Sequence, residues 1–394
     1  MPPTRSRHRT AATLAILLLL AACPGCMSSF LAKKIIDPPH SGRTELPAAL
    51  DVSTLFDRLA YVRVGPPPAD LSVFTIEPKP HLILTARNLR SLEQKASQAL
   101  PERDQAWTGP TALAVVEAPG GTGYAAVLGP GPRATFATPD PPRGTILLFQ
   151  GWGGRARESY LIGVAAFFAN AGYRVVLPDL RAQGDSTGDW LTFGVLERRD
   201  VRQLLTSLES EDLLTPPLVA AGHSYGGLVA IMAAAEDPRI DAIISLSPPR
   251  PLLQQATDLR HAAALVSPVY DLLLSWFVSD RELRKAAARA ARIADFDPED
   301  TDPARAVTET DAPLLLIHGG ADAICIPLAS FRIQRARPRG TQLILYEDED
   351  HLSYLYNDRF DELRHDCLTW IDRHFAPPAP ASHDELSRKL LPLD

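Results

Sequence analysis

One segment constrains the fold of this chain more than any other, residues 218–235. It opens with an apolar run, continues as Gly222-His223-Ser224-Tyr225-Gly226, and ends in an alanine-rich stretch. An apolar run followed by an alanine-rich stretch predicts a buried strand that leads directly into a helix. The glycines on either side of Ser224 have no Cβ and therefore permit a tight turn. Such a turn lifts the serine hydroxyl out of the sheet and points the helix N-terminus at whatever binds there.

Two later strand ends supply an acid and a histidine in the order that such a serine requires. Residues 313–317 predict a buried parallel strand, with Asp322 on the loop beyond it. Residues 341–346 predict the next strand, with His351 on the loop that follows. We expect the three side chains to converge at one rim of the sheet. This order of a serine, an acid and a histidine at the ends of successive strands predicts a serine hydrolase.

Other residues compete for two of these roles. His318 is the main competing histidine, and it ends the strand that precedes Asp322. Asp348 and Asp350 are close to His351 and could orient its ring in place of Asp322, although a neighbour on the same tight loop seldom reaches the ring correctly. His351 could also be a surface histidine among acidic residues.

A glycine-rich loop, residues 150–154, follows the strand predicted at residues 145–149. Acyl transfer builds negative charge on a carbonyl oxygen, and two aimed backbone N–H groups typically contribute a few kcal/mol of stabilisation there. This loop and the residue after Ser224 are candidates to supply the two donors of such an oxyanion hole. The alternative is a glycine-rich turn with no catalytic role.

Taken together, these motifs resemble the α/β-hydrolase superfamily over residues 145–375. The resemblance implies an α/β fold whose mostly parallel central sheet carries helices on both faces. It implies that Ser224 is the nucleophile, that His351 is the general base, and that Asp322 orients His351. It also implies that the N–H groups of Trp152 and Tyr225 form the oxyanion hole. No metal or organic cofactor is expected. Residues 248–310 occupy the position where the superfamily often inserts a helical lid, and Trp276 and Phe277 there fit either a lid or core packing.

Two positions depart from the patterns that are common in the superfamily. Gln150 stands where histidine is usual in the glycine-rich loop. Ala182 replaces the first glycine of a segment, residues 179–186, that resembles the superfamily's Asp-x-Arg-Gly-x-Gly-x-Ser loop and has a structural role there. We interpret Gln150 as tolerated because glutamine still forms hydrogen bonds to a loop.

The resemblance implies cleavage of a carboxylic ester, with a small acyl compound as substrate and an acyl-enzyme as intermediate. A peptidase or amidase of the same fold is the first alternative, because the triad chemistry is identical. A non-catalytic envelope protein that uses the fold for binding is the second. The net charge of −7 and the absence of a basic patch disfavour nucleic acid as a partner.

The amino terminus predicts export. Arg5, Arg7 and Arg9 precede an apolar run at residues 11–22, which is short for a membrane span of about 20 residues. Residues 1–22 therefore predict a signal peptide. Their end and Cys23 resemble the lipobox of bacterial lipoproteins, which implies lipid attachment at Cys23 and a membrane-anchored protein of the cell envelope. The alternatives are an ordinary cleaved signal peptide and an uncleaved helical anchor.

The rest of the chain divides by composition. We predict a lipidated tether at residues 23–50, an extension with early β-strands at 51–142, a hydrolase core at 143–376 and a disordered tail at 377–394. Short β-like runs lie at residues 60–64, 71–76, 112–117, 124–128 and 133–136, whereas residues 81–87 receive no assignment. Cys325 and Cys367 could form a disulfide or remain buried thiols. No spacing of Cys and His predicts a metal site.

Overall fold

The computed structural model describes residues 24–37, 56–78, 81–86, 111–118, 121–128, 141–157, 159–258 and 278–375. The predicted signal peptide, Cys23, the aromatic pair Trp276 and Phe277, and the predicted tail lie outside the described residues. The strands are β1 (Arg58–Val64), β2 (Ala69–Ile76), β3 (Leu82–Ala86), β4 (Thr111–Ala118), β5 (Gly121–Leu128), β6 (Thr145–Phe149), β7 (Arg174–Pro178), β8 (Leu218–His223), β9 (Ala242–Leu246), β10 (Leu314–Gly319) and β11 (Thr341–Tyr346). The labelled α-helices are α1 (Pro24–Ile36), α2 (Ser159–Asn170), α3 (Glu197–Ser210), α4 (Tyr225–Glu236), α5 (Asp280–Ile293), α6 (Pro303–Ala306), α7 (Leu328–Ala336) and α8 (Phe360–His374).

Eight strands form the central sheet, in the order β1-β2-β7-β6-β8-β9-β10-β11. β1 pairs antiparallel with β2, and β2 pairs antiparallel with β7. The other pairs are parallel. The interior strands β6, β8, β9 and β10 are buried at every residue, as strands covered on both faces must be. The predicted α/β-hydrolase fold with a mostly parallel sheet is confirmed.

Helices cover both faces of this sheet. Along β6, Leu147 and Phe149 enter one hydrophobic cluster while Ile146 and Leu148 enter the other, because successive side chains of a strand point to opposite faces. The first cluster includes buried residues of α1, α3, α4 and α5. The second includes buried residues of α2 and α8. The carboxyl ends of the parallel strands therefore form a rim between two packed layers, where the candidate site lies.

The early β-like runs that the structure describes divide between two sheets, and the run at residues 133–136 lies outside the described residues. Residues 60–64 and 71–76 fall in β1 and β2, which extend the central sheet with antiparallel edge strands. Residues 112–117 and 124–128 fall in β4 and β5. These two strands pair with β3 in a separate antiparallel sheet of order β3-β5-β4, which lies beside α2. Residues 81–87, which had no assignment from sequence, supply β3.

The described part of the predicted tether is a helix packed onto the fold rather than a simple linker. α1 lies against α5. Ala32 and Ile36 are completely buried in the first hydrophobic cluster, since residues four apart share one face of a helix. Among the described residues no helix is long and apolar enough to cross a membrane.

Part of the predicted lid, residues 248–310, is described and is largely helical. Residues 252–258 are helical, and α5 follows after the segment that is not described. Ser279 caps α5 by accepting a hydrogen bond from the N–H of Glu282, at 3.3 Å, and this Ser-x-x-Glu spacing is typical of helix starts. The buried face of α5 consists of alanines, which lets α1 approach it closely.

Candidate active site

Ser224 occupies a strained turn between β8 and α4. Its φ of 56° and ψ of −119° belong to a region that non-glycine residues rarely adopt. A Cβ on Gly222 would lie 2.3 Å from the carbonyl oxygen of Gly226, and one on Gly226 would lie 2.2 Å from that of Phe149. Both glycines of the motif are therefore required by close backbone contacts. The predicted strand-turn-helix geometry is present at Ser224.

The predicted acid and base are joined by a hydrogen bond. His351 Nδ1 donates to Asp322 Oδ2 at 2.6 Å, a tautomer that follows from the carboxylate acceptor. Asp322 Oδ1 accepts hydrogen bonds from the N–H groups of Ile324 and Cys325, at 2.9 and 2.8 Å. Both carboxylate oxygens of Asp322 therefore accept hydrogen bonds, and Nε2 is the ring nitrogen of His351 that remains able to accept a proton. A histidine held this way has the proton arrangement of a general base.

The charge of Asp322 is maintained despite its burial. Burial by itself would raise the pKa of this carboxyl, but the charge of His351 and hydrogen bonds from His318 and His351 hold the pKa well below its usual range. Asp322 therefore stays ionised at neutral pH. An ionised acid can fix the histidine tautomer and stabilise an imidazolium during proton transfer.

The competing residues make other principal contacts. His318 is completely buried; its Nε2 donates to the carbonyl oxygen of Cys325 at 2.6 Å and lies 3.4 Å from Asp322 Oδ2, and its Nδ1 accepts from Ser330 Oγ at 2.7 Å. Asp348 and Asp350 are exposed. Asp350 Oδ1 accepts from the N–H groups that open the following 3₁₀ turn. The structure thus places Asp322, and neither of these two aspartates, against the ring of His351.

His223 contacts His351 and donates a hydrogen bond to its backbone, a role that the sequence interpretation did not include. Its Nε2 donates to the carbonyl oxygen of His351 at 2.8 Å, and the two ring centroids are 4.6 Å apart. Burial, followed by the charge of His351, lowers the pKa of His223 to about 3. His223 is therefore a neutral hydrogen-bond donor that fixes the backbone of the loop carrying His351.

We expect His223→Gln to change how stability depends on pH. The folded wild type does not protonate His223 until pH is near 3, whereas the unfolded chain protonates it near 6.5. As the pH is lowered from 6.5, the free energy of unfolding of the wild type should consequently decrease relative to that of the variant, by about 1.4 kcal/mol per pH unit. Urea unfolding of both proteins between pH 7 and pH 4 measures this difference. The raised pKa values of Asp179 and Asp200, each about 6, act in both proteins and cancel. A difference that stays constant with pH would contradict the prediction.

Ser224 and His351 line a common cavity of about 590 Å³. This volume is in the range of small-molecule sites. Most of the wall is apolar and comes from α1, from the described parts of residues 248–310, and from loops at the rim of the sheet. These apolar residues are Leu31, Ile35, Phe193, Pro249, Leu252, Ala256, Val278, Leu283, Ile324 and Leu352. The cavity is therefore suited to an apolar group placed next to Ser224.

The two predicted oxyanion-hole residues, Trp152 and Tyr225, line the same cavity. Tyr225 is the first residue of α4, so its N–H has no acceptor within the helix. The glycine-rich loop is held by a hydrogen bond from the N–H of Gly151 to the hydroxyl of Tyr160, at 2.9 Å. The indole Nε1 of Trp152 donates to the carbonyl oxygen of Ile35 in α1, at 3.0 Å.

Of the two departures from the superfamily patterns, Gln150 has a structural explanation and Ala182 has none. Gln150 is completely buried, and its amide nitrogen donates to the carbonyl oxygen of Pro178 while its oxygen accepts from the N–H of Leu180, at 3.0 and 2.8 Å. It therefore ties the glycine-rich loop to the loop after β7. Ala182 has a φ of 55°, the left-handed conformation that glycine would adopt more readily.

The segment directly after β7, residues 179–186, braces the site without contributing to the cavity wall. Arg181 forms a buried bidentate ion pair with Asp200, with distances of 2.5 and 2.8 Å. Asp179 accepts hydrogen bonds from the N–H groups of Ala156 and Asp185, at 2.5 and 2.8 Å. These bonds join the loops after β6 and β7 to α3, in keeping with the structural role expected for this segment.

Cys325 lies unexpectedly close to the serine, with its Sγ 3.8 Å from Ser224 Oγ. Burial and the negative charge of Asp322 raise the pKa of this thiol well above its ordinary value. It is therefore neutral and a poor nucleophile at neutral pH. Cys325 and Cys367 are both free thiols, so the disulfide alternative is not present. Within the described ranges no cluster of His, Cys, Asp or Glu could hold a metal ion.

The sequence profile of the alpha/beta hydrolase family matches residues 146–363. The match spans more than half of the chain and includes Ser224, Asp322 and His351. The chain therefore belongs to the alpha/beta hydrolase family, and hydrolysis is its reaction class. A comparison with the curated proteins finds no match.

Several solved structures are similar to this chain at low sequence identity. The esterase Pf2001 from Pyrococcus furiosus is 16% identical, with a TM-score of 0.52 over 82% of this chain and 92% of that one. Est1E from Butyrivibrio proteoclasticus is 14% identical, with a TM-score of 0.47 over 81% and 99%. A puromycin-hydrolysing peptidase from Mycobacterium tuberculosis is 17% identical, with a TM-score of 0.45 over 78% and 37%. At 16% identity and a TM-score of 0.52, the comparison with Pf2001 establishes the fold alone.

Proposed function

We propose that this protein is a serine hydrolase that cleaves a carboxylic ester through an acyl-enzyme intermediate. The hydrogen-bonded pair of Asp322 and His351, at the cavity into which Ser224 opens, is the observation that carries the proposal. The proposed nucleophile sits on a strained turn at a helix N-terminus, as the reaction requires. The family's reaction class agrees with it.

In the proposed mechanism Ser224 Oγ attacks the ester carbonyl while His351 Nε2 takes the serine proton. The carbonyl oxygen becomes negative and binds the N–H groups of Trp152 and Tyr225. The tetrahedral intermediate collapses, the bond to the alcohol breaks, and His351 returns the proton to the departing alkoxide. Water then attacks the acyl-enzyme by the same steps, which releases the carboxylic acid and restores Ser224.

The composition of the cavity favours an ester over the substrate of an aminopeptidase. None of the described residues that line it is acidic. A peptide with a free amino terminus carries an ammonium group, and burying that charge without a carboxylate partner is costly. An apolar acyl group has no such requirement.

Substrate comparison and active-site labelling test this function together. We expect a fluorophosphonate probe to form an adduct at Ser224 and p-nitrophenyl esters to be hydrolysed with a higher kcat/KM than aminoacyl p-nitroanilides. Faster turnover of the anilides would indicate a peptidase or amidase instead. Folded protein that forms no adduct would favour a binding protein.

We also propose that the protein is anchored to a membrane of the cell envelope through Cys23. The support is the basic and apolar amino terminus that ends in Leu20-Ala21-Ala22-Cys23. Cys23 directly precedes the first residue of α1, the helix whose Leu31 and Ile35 line the cavity. The mass of the mature amino-terminal peptide decides this proposal, since an unlipidated Cys23 contradicts it.

A further inference from the structure

Helix α1 forms one wall of the cavity that contains Ser224. Leu31 and Ile35, one turn apart, line the cavity. Ala32 and Ile36, each one residue further along, are completely buried in the hydrophobic core. The helix therefore uses one stripe to attach to the protein and the adjacent stripe to face the cavity.

The carboxyl end of α1 is attached at defined points. The carbonyl oxygen of Ile35 accepts from Trp152 Nε1, and that of Ile36 accepts from the N–H of Leu191, both at 3.0 Å. The last four carbonyls of a helix have no partner inside the helix. Here two of them are satisfied by loops at the rim of the central sheet. Such bonds fix the rotation and the position of α1 over the cavity.

The first of these hydrogen bonds connects α1 to the glycine-rich loop. Trp152 belongs to the glycine-rich loop that we propose as an oxyanion donor, and its indole holds the last turn of α1. Helix α1 also packs against α5, whose Leu283 lines the same cavity. Leu31 and Ile35 thus share the cavity with Leu252, Val278 and Leu283, which are contributed by the described parts of residues 248–310.

We propose that α1 is a specificity-determining element of the acyl site, and that the substrate is an ester of an apolar acyl chain that contacts Leu31 and Ile35. The inference rests on the proposed ester hydrolysis and adds the substrate class to it. Leu31 and Ile35 limit the length of the chain that fits beside Ser224. An amino-terminal helix that the sequence places in a tether therefore decides which substrates are accepted.

The test is a series of p-nitrophenyl esters from acetate to dodecanoate, measured on the wild type, Leu31→Trp and Leu31→Ala. A tryptophan at position 31 fills the cavity and should lower kcat/KM for the longest accepted esters by about 10-fold or more relative to acetate. Leu31→Ala should shift the preference towards longer chains. Phe30→Trp is the matched control, because Phe30 is exposed and does not line the cavity. It should leave the chain-length profile unchanged.

Two further measurements keep this inference separate from the proposed reaction. Thermal unfolding and fluorophosphonate labelling confirm that each variant is folded and has a reactive serine. Calorimetric binding of decanoate should weaken in Leu31→Trp and not in Phe30→Trp, whether or not the protein hydrolyses esters. Identical profiles and identical decanoate binding in all four proteins would overturn the inference. A protein that binds decanoate as expected but hydrolyses no ester would overturn only the proposed reaction.

Discussion

Ser224→Ala should lower kcat for p-nitrophenyl ester hydrolysis by about 10⁶-fold, the loss typical of removing the nucleophile from a serine triad. Without Oγ no acyl-enzyme forms, and the activity that remains comes from substrate binding and the oxyanion hole. The alanine should occupy the turn at residue 224 without a steric clash, because its Cβ replaces the Cβ already present. Steady-state kinetics and circular dichroism measure activity and folding on the same sample.

The neighbouring thiol supplies the control for this experiment. Cys325→Ala removes the side chain that lies 3.8 Å from Ser224 Oγ, yet a neutral thiol has no part in the proposed chemistry. We expect this variant to retain most of the activity and to be labelled by fluorophosphonate at Ser224. Substantial turnover by Ser224→Ala, together with its loss in Cys325→Ala, would assign the nucleophile to the cysteine.

Asp322→Asn should lower kcat by about 10⁴-fold through the tautomer of His351. In the wild type, Oδ1 of Asp322 accepts two backbone N–H groups while Oδ2 accepts from His351 Nδ1. The single oxygen of asparagine should stay with the two backbone donors, which leaves its NH₂ group facing Nδ1. Nδ1 must then accept, so Nε2 carries the proton and cannot take another from Ser224.

Asp350→Asn is the matched control for the tautomer prediction. Asp350 is exposed, lies next to His351 in sequence, and accepts only from the N–H groups of Leu352 and Ser353. Its amide oxygen can keep those bonds, so we expect nearly wild-type kinetics. Nitrogen NMR of the histidine ring reports the tautomer directly. An Asp322→Asn variant with wild-type kcat would show that His351 is oriented by another group.

Much of the fold and the candidate site could be predicted from local patterns. The apolar run before Ser224, the two flanking glycines and the alanine-rich run after it predicted a strand, a turn and a helix, which are β8 and α4. The strand ends before Asp322 and His351 were predicted in the same way. These signals are local because a buried strand and a tight turn each impose their own residue types on a short segment.

Other parts of the site depend on contacts between segments that are far apart in sequence. The sequence assigned neither His223 nor Cys325 to the site. Only the folded chain places His223 against His351 and Cys325 beside Ser224. Residues 24–36 gave one overlooked signal, apolar positions four apart at Leu31 with Ile35 and at Ala32 with Ile36. That spacing indicates a helix with a buried face but does not say what the face packs against.

The sequence by itself determined the order of the serine, the acid and the histidine and the strand ends that carry them, since strand periodicity and turn chemistry are properties of neighbouring residues. Only the tertiary structure decided that Asp322 and not Asp350 meets His351, and that α1 closes one side of the cavity. Both outcomes depend on the relative positions of β10, β11, α1 and the loop at Trp152. Those positions are set by packing of the whole core, which no short stretch of sequence encodes.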